Sequence, residues 1–73
     1  MLINKNVKNI IKDLVGSKVV TYVDDYMDSR GIEKFTIDDY IYYLNEIEDG
    51  ILEFKSLKYS NINNHFRLLF TYK

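Results

Sequence analysis

The chain of 73 residues contains no cysteine, proline, tryptophan, alanine or glutamine, and only three glycines and one histidine. Without cysteine there is no disulfide framework and no thiolate to act as nucleophile or metal ligand. Three isolated glycines make no glycine-rich loop of the kind that cradles phosphate. The lone His65 lies in a polar turn segment, so no histidine pair is available for zinc. The carboxylates of Asp24, Asp25 and Asp28 do not follow a calcium-loop spacing. No apolar run approaches the roughly 20 residues that span a bilayer. The opening MLINKNVKNIIKD is broken by polar residues too often for a signal peptide. The expectation is a protein without catalytic activity, metal, cofactor or membrane attachment, placed in the cytoplasm.

What is abundant points to an origin. Alanine and proline have GC-rich codons, whereas the plentiful isoleucine, asparagine, lysine and tyrosine have AT-rich ones. An AT-rich genome explains the alphabet, and a small self-contained chain of this kind suits a phage, virus or mobile element, acting in the host-cell cytoplasm. Hydrophobic residues make up 47% of the chain, enough for one core and one domain, residues 1–73. A homodimer would add buried surface to so small a core.

The formal net charge is −1, but it is unevenly spread. Residues 1–18 carry four lysines against Asp13. Residues 19–49 carry nine acids against Arg30 and Lys34. Residues 50–73 carry four basic residues against Glu53. The middle is acidic and both ends are basic.

Periodicity predicts three helices. In NKNVKNIIKDLVG, Val7, Ile10, Ile11 and Leu14 follow helical spacing, with Asn4 as N-cap and Gly16 as the stop. In SKVVTYVDDYMDSRG, Ser17 caps, Val19, Val23, Tyr26 and Met27 share a face, and Gly31 stops. In TIDDYIYYLNEIEDG, Thr36 and Asp39 form a capping box. Ile37, Tyr40, Ile41, Leu44 and Ile47 form the stripe, and Gly50 stops it. The period then becomes two. ILEFKSLKYS alternates Leu52 and Phe54 with Glu53 and Lys55. FRLLFTYK places Phe66, Leu68, Phe70 and Tyr72 opposite Arg67, Thr71 and Lys73. With the polar NINNH between them, these read as a C-terminal β-hairpin. The fold class expected is α+β, three short helices followed by that hairpin.

The junction YYLNEIEDGILEF, with Leu44, Ile47, Glu48-Asp49, Gly50 and Ile51-Leu52, resembles the helix-to-wing junction of winged helix-turn-helix domains. The resemblance implies a winged-helix-like order, a third helix entering the DNA major groove and a hairpin acting as the wing. That helix, however, collects Asp38, Asp39, Tyr42, Asn45, Glu46 and Asp49 opposite its apolar stripe, with no lysine or arginine. Such a face is repelled by phosphate. An acidic helix face carrying a tyrosine instead fits a protein partner with a basic surface, which the chain would regulate or inhibit. The alternative is a DNA-binding transcriptional regulator that contacts phosphate through the first helix and the hairpin. Its residues are Lys5, Lys8, Lys12, Lys55, Lys58, Arg67 and Lys73, with His65 nearby.

Overall fold

The structure, a computed structural model, describes residues 5–24, 28–32 and 34–73. The elements run α1 (Lys5–Lys12), β1 (Val19–Val23), β2 (Asp28–Ile32), α2 (Ile37–Glu48), β3 (Leu52–Ser60) and β4 (His65–Tyr72). The α+β class holds, but three helices followed by a hairpin does not. The segment expected to be the second helix forms the antiparallel pair β1–β2 instead, with Val19 beside Ile32 and Val23 beside Asp28.

The reason lies in the side chains. Val19, Val20, Thr21 and Val23 are β-branched and Tyr22 is aromatic, types that lose side-chain freedom in a helix and pack well on a pleated sheet. The spacing of Val19 and Val23 does not discriminate, because residues four apart share a face in a strand as well as in a helix. Thr21 does: it is buried between them, at 1% exposure, where a helix would have turned it away. Gly31 is no stop signal; it pairs with Val20 inside the sheet. The expected cap Asn4, along with Asp25, Tyr26 and Met27, lies outside the described residues.

The four strands form one mixed sheet in the order β2-β1-β4-β3. β1 runs parallel to β4, with Val19 beside Phe66 and Val23 beside Phe70. The C-terminal hairpin is therefore no peripheral wing, since β4 lies inside the sheet. A bulge between Phe54 and Ser56 resets β3, so that Leu57 and Tyr59, like Phe54, share a face with Phe70, Leu68 and Phe66. Without it, the alternation would send Leu57 to the wrong side.

Both helices pack on that face. Ile11 and Leu14 from the first helical segment join Val19, Phe35, Tyr40, Tyr43, Ile47, Leu52, Leu68 and Phe70 in one core. Tyr43 lies at its centre. Its ring stacks on Phe70 at 5.0 Å and on Phe35 at 6.1 Å, and its hydroxyl meets Thr21 Oγ1 at 3.0 Å.

α2 begins and ends on local signals. Thr36 Oγ1 accepts the Asp39 N–H at 3.1 Å, and Asp39 Oδ2 accepts the Thr36 N–H at 2.8 Å, completing the capping box. At the other end Gly50 adopts a left-handed φ of 75°. The Gly50 N–H reaches the Ile47 carbonyl and the Ile51 N–H reaches Glu46, a Schellman closure. Among the described residues, no helix is long and apolar enough to cross a membrane.

Candidate functional site

α2 is rotated relative to the stripe read from its sequence. Tyr40, Tyr43 and Ile47 are buried, whereas Ile37 and Ile41 stay 53% and 46% exposed. At 100° per residue this turns the inward face by roughly 60° towards Tyr43. The turn follows from Tyr43: a large ring flanked by Phe35 and Phe70, with its hydroxyl satisfied by Thr21, contributes more to the core than either isoleucine at the rim.

The rotation divides the acidic face. Asp38, Asn45 and Asp49 point outward and are exposed. Asp39 is taken up by the capping box and by a long contact of 3.8 Å to Arg30 on β2. With the Arg30 side chain largely exposed, that ion pair contributes at most about 1 kcal/mol. Tyr42 and Glu46 swing over the sheet. Tyr42 meets the Tyr43 ring edge to face at 5.1 Å yet remains 51% exposed.

Tyr42 and Glu46 line a cleft of about 170 Å³ between α2 and the sheet, together with Arg30, Val23, Leu52 and Tyr72. Small-molecule pockets typically run to about 300–1,000 Å³, so this space suits one inserted side chain. Its lining is apolar apart from Thr21 and the Tyr hydroxyls, with Glu46 and Arg30 supplying the charges. Among the described residues Glu46 makes no ion pair and Arg30 is drawn to Asp39. The cleft therefore presents the Glu46 carboxylate, which makes no ion pair among the described residues, beside tyrosine rings and the Arg30 guanidinium. Among the described residues, no three His, Cys, Asp or Glu side chains are grouped to hold a metal.

The basic residues of the alternative reading are not assembled into one surface. Lys5, Lys8 and Lys12 are exposed on α1, in the helix layer. Lys58 pairs with Arg67 on the opposite face of the sheet, one residue along from the core-facing Leu57–Leu68 pair. Lys55 lies in the β3 bulge, and Lys73 follows β4, its N–H bonded to the Ile51 carbonyl. The first helix and the hairpin thus offer their cations on opposite sides of the sheet.

Sequence reading missed Thr21, Tyr43 and Arg30. The alternation of Val19, Thr21 and Val23 was the available signal for the first; nothing local marks the other two. The three-helix order behind the winged-helix resemblance is absent, although the quoted junction from helix to strand is present. Compared with protein-family models, curated proteins and solved structures, the chain matches none.

Proposed function

We propose that this chain is a non-catalytic binding protein that regulates or inhibits a macromolecular partner by receiving a basic segment of it along α2. The observation that carries the reading is the convergence of half-exposed Tyr42 and of Glu46, which has no ion pair among the described residues, on one side-chain-sized cleft. A tyrosine offers large, rigid contact area with a polar end, the property that favours it at interfaces. Glu46 supplies the charge that would choose lysine or arginine. Asp38 and Asp49 extend the same sign along the helix.

The charge pattern also runs against local stability. Glu46, Glu48 and Asp49 lie at the C-terminal end of α2, which has no basic residue in its last turn. A helix C-terminus favours cations, by about 0.3–1 kcal/mol each. Acids placed there support a role outside the fold. The AT-rich codon alphabet supports a phage, viral or mobile-element source and a site of action in the host cytoplasm.

A displayed peptide library screened against the protein tests this reading. It should select sequences that join lysine or arginine to an aromatic or aliphatic residue. Tyr42→Ala combined with Glu46→Lys should weaken the selected peptides by about 30-fold or more, the loss expected of interface anchors. Selected peptides without basic enrichment, or undiminished affinity for the double variant with its fold intact, would refute it.

A further inference from the structure

The sheet has two edges, and they are finished differently. β3, nine residues long, is interrupted by the bulge between Phe54 and Ser56 and carries the exposed Lys55 and Lys58. A bulge and edge lysines are devices that keep an edge strand from pairing with another chain. β2 has neither. Its register with β1 is unbroken from Asp28 to Ile32, and it contains no lysine or proline. Ser29, Arg30 and Gly31 are all exposed, and a Cβ at Gly31 would meet nothing within 4 Å. Among the described residues, β1 is the one strand paired with β2, and no turn or loop backbone group bonds to it. This edge also borders the site on α2. Arg30, the middle residue of β2, faces the helices, because it stands opposite the buried Thr21 and forms a wall of the cleft. Asp39, Tyr42 and Glu46 occupy one flank of α2, within about 60° of arc. The contact of Asp39 with Arg30 turns that flank towards β2.

We infer that β2 takes up an extended basic segment of the protein partner as a fifth strand of the sheet, with a lysine or arginine of that segment reaching Glu46. The inference rests on the α2 reading and adds to it the conformation of the segment and the strand that holds it. In strand addition, main-chain hydrogen bonds give the affinity and alternate side chains give the specificity. A strand beside β2 sends every second side chain to the helix side, under the flank of Asp39, Tyr42 and Glu46. Charge then chooses the occupant. Asp39 is engaged with Thr36 and Arg30, whereas Glu46 has no ion pair among the described residues. A cation directly beside Arg30 is disfavoured, because like charges opposite each other on neighbouring strands repel. The basic residue therefore lies two positions along, and an uncharged or acidic residue sits beside Arg30. The same repulsion opposes a second copy aligned with Arg30 against Arg30.

The tightest peptide from the displayed library, made synthetically, tests this on the intact chain. Its backbone nitrogens are methylated one at a time, and each affinity is measured. In an added strand only alternate N–H groups face the neighbouring strand. Methylation should therefore cost about 10-fold at every second position and little at the positions between. Hydrogen exchange should slow about 10-fold or more in the complex at one or more of the Ser29, Arg30 and Gly31 amides. Sensitivity that is uniform, or spaced by three and four residues, with unchanged exchange in β2 would overturn the inference, since it marks a helical ligand. If that peptide is still basic and still loses affinity in Tyr42→Ala with Glu46→Lys, the α2 reading stands and the added strand alone fails. Peptides without basic enrichment would remove both. Protection along β3 in place of β2 would also overturn it. So would a sedimenting dimer whose β2 amides are protected before peptide is added, because a second copy would then hold the edge.

Discussion

The Thr21 hydroxyl has one hydrogen and gives it to the Arg30 carbonyl at 3.2 Å. The 3.0 Å contact with Tyr43 must then be donated by the phenol. One short chain, Tyr43 to Thr21 to the β2 backbone, thus ties α2 to two strands inside an otherwise apolar core. Tyr43→Phe should cost about 1 kcal/mol, the net value of one such bond, in urea unfolding. Thr21→Val should cost about 1–3 kcal/mol, since it strands the phenol as well as a carbonyl. Burial pushes the Tyr43 phenol above its ordinary value of 10.0, ahead of the lowering effect of the Thr21 hydrogen bond. The folded state therefore holds this proton more tightly than the unfolded chain does. The stabilisation is complete below pH 10 and is lost as pH rises through the folded value. Unfolding measured across the alkaline range should show stability falling, with a shallower fall in Tyr43→Phe. Equal slopes in the two proteins would contradict this account.

At the scale of the element, α2 shows which signals are local. Its capping box and its Gly50 stop involve residues within a few positions of each other, and they are found as read. Its orientation is set instead by Phe35 and Phe70. The consequence is measurable. Ile41→Lys should change stability by less than about 0.5 kcal/mol, as an exposed substitution, although the sequence stripe counts it as core. Ile47→Ala should cost about 2 kcal/mol or more. Denaturant midpoints that rank the two variants the other way would restore the unrotated helix. The hairpin β3–β4 was legible because its alternation is clean over Phe66–Tyr72. The bulge in β3 was not, since its position answers to β4 and not to the residues around it.

For the whole molecule, the decisive fact is that β1 and β4 occupy the middle of the sheet. A wing could open without unfolding the rest; β4 cannot. Amide exchange should accordingly be slowest in β1 and β4, near the global unfolding limit, and faster along the edge strand β2. Rapid exchange at Leu68 and Phe70 would show the hairpin to be a peripheral unit after all. The same topology distributes the charge. It leaves α1 with its lysines and α2 with its acids on one side, and gathers Lys58, Arg67 and Tyr22 on the other. Each candidate surface is thus assembled by strand order, which joins residues far apart in the chain.

Composition excluded disulfide and thiolate chemistry, and local spacing placed α1, α2, β3 and β4 with their glycine stops at Gly16 and Gly50. Those features depend on backbone preferences and on neighbours one to four residues away, so they are written in short stretches. The state of Val19–Val23 is different, because a four-residue spacing satisfies helix and strand alike. It was settled by pairing with Phe66–Phe70, whose hydrogen bonds and buried side chains exist only once the chain has folded. The helix rotation and the cleft at Tyr42 and Glu46 follow from that same long-range pairing.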